Sequence, residues 1–143
     1  MKRYIGLLGL CAPLCIVLLL GGCLSQEGRQ DSAAMLAQQM HAAMQTQDWD
    51  AAMPLYGDAF LAGHDRQAWR DKLASLQERF GKLQKIKPEF DQRSPRLGGV
   101  VYAYGFKLVF ERGVVRETLS MFKDDQDNIA VTDQIFKFKD DLL

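Results

Sequence analysis

The sequence has no strong excess of charge of either sign. Its 143 residues include 18 basic and 18 acidic side chains, so the formal net charge at neutral pH is zero. Proteins that bind nucleic acid through its phosphates need a clustered basic surface. Because the composition offers no such excess, we do not expect nucleic acid as a partner.

Cysteine and histidine are both scarce. The three cysteines, Cys11, Cys15 and Cys23, all lie near the N-terminus, so the sequence after position 23 has no thiol that could form a disulfide. The two histidines, His41 and His64, have no second histidine or cysteine at the spacing of a zinc site. We therefore expect a domain held together by its hydrophobic core, with no metal and no cofactor.

The N-terminal residues have the organisation of an export signal. Two basic residues precede an apolar stretch at 4–20, whose length suits the core of a secretory signal. It is followed by Gly-Gly-Cys ending at Cys23, and with Leu20 this resembles the lipobox of bacterial lipoproteins. The resemblance implies cleavage between Gly22 and Cys23 and lipidation of the Cys23 thiol. The alternative is an uncleaved membrane anchor with a chance cysteine.

The lipobox resemblance also predicts a layout and a location. Residues 1–22 would be the signal peptide, residues 23–30 the lipidated cysteine with a short polar tether, and residues 31–143 one domain of ordinary size. In enteric-type bacteria an aspartate directly after the lipidated cysteine retains lipoproteins in the inner membrane, and here the residue is Leu24. We therefore expect an outer-membrane lipoprotein, bound through the lipid on Cys23, with its domain in the periplasm.

The first half of the domain has the 3.6-residue apolar period of helices. Three helices are expected, with caps at Asp31 or Ser32, at Asp48 and at Asp65. Pro54 should kink or split the second helix because it lacks a backbone donor. Gly81 is placed to end the third helix.

The second half alternates apolar and polar residues, as strands do. The predicted strands cover residues 83–91, 100–110, 115–123 and 129–138. Pro88 favours an edge position for the first strand because proline cannot donate to a neighbouring strand. This order predicts an α+β fold in which three N-terminal helices pack on one face of a curved antiparallel sheet of about four strands.

This order of elements resembles the nuclear-transport-factor-2-like superfamily, in particular its small secreted bacterial members of unknown function. The resemblance covers roughly residues 32–139 and depends on the Trp49–Tyr56–Phe60 helix, the Trp69–Phe80 helix that ends at Gly81, and the Glu117-Thr118-Leu119 strand with its following turn and strand. It implies a sheet that curls around a helix and often leaves a pocket. Gly105, within the long second strand, could permit the necessary bend.

A pair of carboxylates is the candidate for acid–base chemistry. If residues 112–113 form a two-residue turn, Glu117 lies on the apolar inner face of the sheet. If Lys123 pairs with Ile129, Asp133 points the same way, and the two carboxylates become diagonal neighbours that can perform general acid–base catalysis. The alternative is structural, either an ion pair with a basic side chain of a covering helix or a position at an open rim.

Four aromatic residues are candidates for lining a pocket: Tyr56, Trp69, Tyr102 and Tyr104. A domain that binds a small molecule or another envelope protein is the favoured function, because the sequence has no nucleophile motif, phosphate loop or metal cluster. The second hypothesis is an enzyme similar to the isomerases and cyclases of the superfamily, with Glu117 or Asp133 as base. The third is a structural role in an envelope complex, which predicts a sizeable exposed apolar patch.

Overall fold

A computed structural model of the chain describes residues 31–138. Its helices are α1 (Ser32–Thr46), α2 (Trp49–Ala52), α3 (Asp58–Gly63) and α4 (Arg66–Phe80), and a 3₁₀ turn at Met53–Leu55 separates α2 from α3. Its strands are β1 (Leu83–Arg96), β2 (Gly99–Phe110), β3 (Gly113–Asp124) and β4 (Ile129–Phe138). The predicted α+β fold, with helices on one face of a curved antiparallel sheet, is confirmed. The predictions for Gly22, Cys23 and Leu24 lie outside the described residues.

The helices begin where the sequence predicted. The side chains of Asp31, Asp48 and Asp65 each accept a hydrogen bond from a backbone N–H in the first helical turn, which satisfies a donor that the helix leaves free. Pro54 splits the second predicted helix into α2, the 3₁₀ turn and α3, as expected. Gly81 ends α4 with a φ of 79°, in the left-handed region where glycine has no Cβ to clash.

The strands follow one another in space in the order β1-β2-β3-β4, and each neighbouring pair is antiparallel. Pro88 therefore lies in an edge strand of the described sheet, as predicted. β1 continues to Arg96, beyond its predicted end at residue 91. It can include Pro95 because an edge strand has no partner on its outer side.

The sheet bends where its register is irregular. In the β1–β2 pairing the register shifts between Leu83 and Lys85 and again between Pro88 and Phe90, and such bulges bend a strand and increase its twist. Phe90 pairs directly with Gly105, and a Cβ on Gly105 would collide with the Phe90 ring. Gly105 thus provides the room that lets this ring lie on the sheet.

The core lies between the helices and the inner face of the sheet. Its largest fully buried side chains are Met40, Met44, Leu73, Leu108, Glu117, Leu119, Met121, Val115 and Val131. The segment between α2 and α3 is attached to β4, since the Gly57 N–H donates to the Val131 carbonyl at 2.9 Å. This attachment brings Tyr56 against the β3–β4 side of the sheet. Within residues 31–138, no helix has the length and apolarity needed to cross a membrane.

Candidate functional site

Glu117 lies on the inner face of the sheet, as predicted, although the hairpin register differs from the expected one. The turn after β2 is formed by residues 111–112 instead of 112–113, so Glu117 pairs with Phe106 and not with Leu108. A shift of two residues keeps each side chain on its original face. Glu117 is accordingly 1% exposed.

Asp133 lies on the opposite face, so the predicted pair of inward carboxylates is wrong. Met121 of β3 pairs with Val131 of β4, but the next residue of β3, Ser120, pairs with Asp133. Thr132 is therefore an extra residue in β4. One extra residue moves every following side chain to the other face of the sheet. Gln134, not Asp133, therefore takes the inner position next to Glu117, and the enzyme hypothesis loses its carboxylate pair.

The partner of Glu117 is His41 of α1. The Nε2 atom of His41 lies 2.6 Å from Oε2 of Glu117, and the two side chains are 7% and 0% exposed. The sequence did not indicate this contact, because the two residues are 76 positions apart. Among the described residues, no group of three or more His, Cys, Asp or Glu is placed to hold a metal ion.

Two more buried polar residues extend this contact. The Gln134 side-chain amide donates to Oε1 of Glu117 at 2.5 Å, and the Tyr56 hydroxyl donates to the amide oxygen of Gln134. Gln134 and Tyr56 are both buried. The four residues His41, Glu117, Gln134 and Tyr56 form a continuous row of hydrogen bonds, which we call the buried polar chain.

The direction of the hydrogen bonds can be followed from the Tyr56 end of this chain. Because the Tyr56 O–H donates to the amide oxygen, Gln134 directs its NH₂ group at Glu117, which therefore accepts at Oε1. Glu117 and His41 then share one proton between Oε2 and Nε2. When Glu117 is ionised and His41 is neutral, that proton belongs to Nε2, and the other ring nitrogen, Nδ1, is a free acceptor.

Tyr56 remains a donor because its environment opposes ionisation. Burial raises the pKa of Tyr56 far above its ordinary value of 10.0. The indole N–H of Trp69 acts in the opposite direction, and the negative charge of Glu117 raises the pKa further. The hydroxyl is therefore protonated throughout the physiological pH range.

His41 also lines a cleft between α1 and the β1–β2 pair. The cleft has a volume of about 550 Å³, and its walls are formed by Ala34, Ala37, Gln38 and His41 of α1, residues 88–91 of β1, and Tyr104 and Phe106 of β2. The His41 ring meets the Phe106 ring edge-on, with 4.5 Å between the ring centroids. Small-molecule sites typically have this size and combine apolar walls with a few polar groups.

One predicted pocket residue, Tyr104, lines this cleft, and a second, Tyr102, lines a hollow beside it. This smaller hollow of about 200 Å³ adjoins the cleft, because Asp91 and Tyr104 line both. The Tyr104 hydroxyl donates to Asp31 at 3.2 Å, and burial, followed by the charge of Asp31, raises the pKa of Tyr104 to about 12. Tyr102 lines the hollow, where the Arg93 guanidinium lies 5.6 Å from its ring.

The other two predicted pocket residues, Tyr56 and Trp69, do not line the cleft. Both are buried in the core, and Trp69 packs edge-on against Phe60 with 5.0 Å between ring centroids. The exposed ring of His64 stacks on Phe60 with 4.1 Å between centroids, and it also meets the Trp69 ring edge-on. Trp69 is thus part of an aromatic cluster that joins α3 to α4, and Tyr56 is the inner end of the buried polar chain.

Comparison with known proteins finds similarity in structure and not in sequence. No protein-family model and no curated protein matches this chain. Bd1075 from Bdellovibrio bacteriovorus has a similar structure, with a TM-score of 0.54 and 11% identity over 76% of this chain and 40% of Bd1075. The chain therefore spans well under half of the length of Bd1075.

Two further solved structures match over most of their own length. A candidate ketosteroid isomerase from Shewanella frigidimarina has a TM-score of 0.50 and 16% identity, over 77% of this chain and 98% of that one. A candidate calcium/calmodulin-dependent protein kinase type II association domain from Thiobacillus denitrificans has a TM-score of 0.54 and 14% identity, over 73% and 92%. They support a nuclear-transport-factor-2-like fold, and at such low identity they show the fold alone.

Proposed function

We propose that this chain is a lipid-anchored bacterial envelope protein whose domain binds a small, largely apolar molecule in the cleft between α1 and β1–β2. The observation that carries this proposal is a cleft of about 550 Å³ with the imidazole of His41 in its wall. The imidazole is held by Glu117 through Nε2, which leaves Nδ1 as the ring nitrogen that a ligand can bond. Apolar walls supply affinity, and an oriented polar group supplies specificity.

The binding proposal is tested with N-phenyl-1-naphthylamine, an uncharged probe whose fluorescence rises in apolar sites. Ala34 is half-buried in the cleft wall, whereas Ala42 lies on the exposed side of the same helix and outside this cleft. We expect saturable binding of one probe per chain, abolished by Ala34→Phe and unchanged by Ala42→Phe. Equal binding by both variants would mean that the cleft is not the site.

The anchoring proposal depends on Cys23 and the residues before it. Several acyl chains on one residue hold a protein durably at a membrane, whereas a single chain does not. We expect Cys23→Ala to abolish incorporation of labelled fatty acid and to leave the precursor uncleaved. Cys15→Ala, a cysteine within the proposed signal peptide, is the matched control and should be lipidated normally. Unchanged labelling of the Cys23 variant would refute the anchor.

A further inference from the structure

We propose that the ligand of the cleft is a protonated amine with an apolar body. This inference rests on the proposed function, because the amine must occupy the same cleft. It follows from the kind of polar groups in the cleft walls and from the sign of their charge.

The polar groups of the cleft offer acceptors for a cationic donor. The polar residues of its lining are Gln38, His41, Glu89, Asp91 and Tyr104. Glutamate and aspartate only accept when ionised, and a tyrosine whose proton is already donated can still accept through its lone pairs. The Tyr104 proton is donated to Asp31, and the Nε2 atom of His41 is bonded to Glu117. A ligand that brings N–H donors therefore satisfies more of these groups than one that brings acceptors.

His41 gives an independent reason to expect a donor. Its side chain is 7% exposed, and Nδ1 has no hydrogen-bond partner among residues 31–138. A ligand N–H in the cleft would supply a partner for this nitrogen. In the neutral ring with Nε2 donating to Glu117, Nδ1 is the acceptor.

The charges in the walls have one sign. Glu89 and Asp91 line the cleft, and no lysine or arginine does. The Glu89 carboxylate is directed away from His41, because its Oε1 atom lies 3.4 Å from Nε of Arg116, which is on the outer face of the sheet. Asp91 therefore supplies the charge of the wall, and no described ion pair involves it. Arg93 lines the adjoining hollow and not the cleft, and its guanidinium lies against the Tyr102 ring.

Aromatic rings complete the environment that a cation prefers. The rings of Tyr104 and Phe106 meet edge-on along the wall, with 6.3 Å between their centroids. Ring faces attract cations, and apolar walls hold the body of an amphipathic amine. The carboxylates of Asp31 and Asp91 both raise the pKa of Tyr104, which is consistent with a negative potential at this end of the cleft.

The test compares three probes that share one aromatic body and differ in charge. They are 1-naphthylmethylamine, 1-naphthalenemethanol and 1-naphthoate, each used to displace N-phenyl-1-naphthylamine from the purified protein. We expect the amine to displace it at a concentration about tenfold lower than the alcohol, as one charge-assisted hydrogen bond allows, and the carboxylate to be the weakest. Asp91→Asn should remove the amine's advantage without changing the alcohol, and Asp133→Asn, on the opposite face, should change neither.

A second pair of variants introduces a positive charge at an exposed position of α1. Gln38 lines the cleft, and its neighbour Gln39 does not, although both are exposed on α1. Gln38→Lys should weaken the amine and strengthen the carboxylate, and Gln39→Lys should leave both unchanged. Equal displacement by all three probes, or preference for the carboxylate, would overturn the amine proposal while the binding function stands. Failure of N-phenyl-1-naphthylamine itself to bind would overturn both.

Discussion

Two replacements of Glu117 distinguish what the hydrogen bonds of the buried polar chain contribute to stability from what the Glu117 charge contributes. In Glu117→Ala the carboxylate that His41 and Gln134 both contact is lost, and these two side chains remain where exposure is at most 7%. A buried polar group that loses its partner costs about 1–3 kcal/mol. Since two such groups lose their partner, we expect Glu117→Ala to lower the free energy of unfolding by about 2–6 kcal/mol.

Glu117→Gln should behave differently because it can keep both hydrogen bonds. Its amide oxygen can accept from Gln134, and its NH₂ group can donate to Nε2 of His41 if the imidazole proton moves to Nδ1. We therefore expect a loss within about 1 kcal/mol, the ordinary value of one neutral hydrogen bond. The moved proton also makes Nδ1 a donor, so this variant should be folded and yet bind 1-naphthylmethylamine more weakly.

The measurement is urea unfolding followed by the fluorescence of Trp49 and Trp69, with linear extrapolation to water. Glu78→Ala, an exposed glutamate on α4, is the control and should change stability by no more than about 0.5 kcal/mol. A Glu117→Ala variant as stable as the control would show that the buried polar chain contributes little to the free energy of unfolding. A Glu117→Gln variant as unstable as Glu117→Ala would contradict the assigned direction of the hydrogen bonds.

Three other predictions concern different parts of the protein. Trp69→Ala should lower the free energy of unfolding by about 3–5 kcal/mol because the ring is buried against Phe60, and a loss below about 1 kcal/mol would contradict that packing. Asp31→Asn should keep the helix cap, because asparagine caps as well as aspartate. It should lower the pKa of Tyr104 from about 12, because it removes a neighbouring negative charge, and a pH titration of the phenolate absorbance measures this change. Since unfolded tyrosine ionises near 10.0 and folded Tyr104 near 12, stability should fall as pH rises through this interval. Membrane fractionation should find the protein in the outer membrane because Leu24 is not aspartate, and exclusive inner-membrane location would overturn this.

Local features of the fold could be predicted because their causes are local. An aspartate cap, a proline within a helix and the alternation of β3 each act within a few residues, and all three appear where expected. The β3–β4 register could not be predicted in the same way. The extra residue at Thr132 is a property of the pairing between two strands, and nothing in the sequence of β4 alone requires it.

The candidate site depended on that register, so it was only partly predictable. The burial of Glu117 followed from the alternation of β3, which any even shift preserves. Its partners did not follow, because His41 and Gln134 come from distant elements that meet only in the folded domain. The aromatic candidates divide similarly, since side-chain type alone does not distinguish the core position of Trp69 from the cleft position of Tyr104.

The packing of Phe90 on Gly105 makes the width of the cleft depend on a residue that no ligand touches. Gly105 lies on the outer face of the sheet, and Phe90 stands in β1 between Glu89 and Asp91, which both line the cleft. Any larger side chain at position 105 must displace the Phe90 ring, and Phe90 is itself part of the cleft wall. We therefore expect Gly105→Ala to alter the affinity for amines although no residue of the cleft lining is replaced. A substitution on the outer face of the sheet would then change ligand selectivity on the inner face.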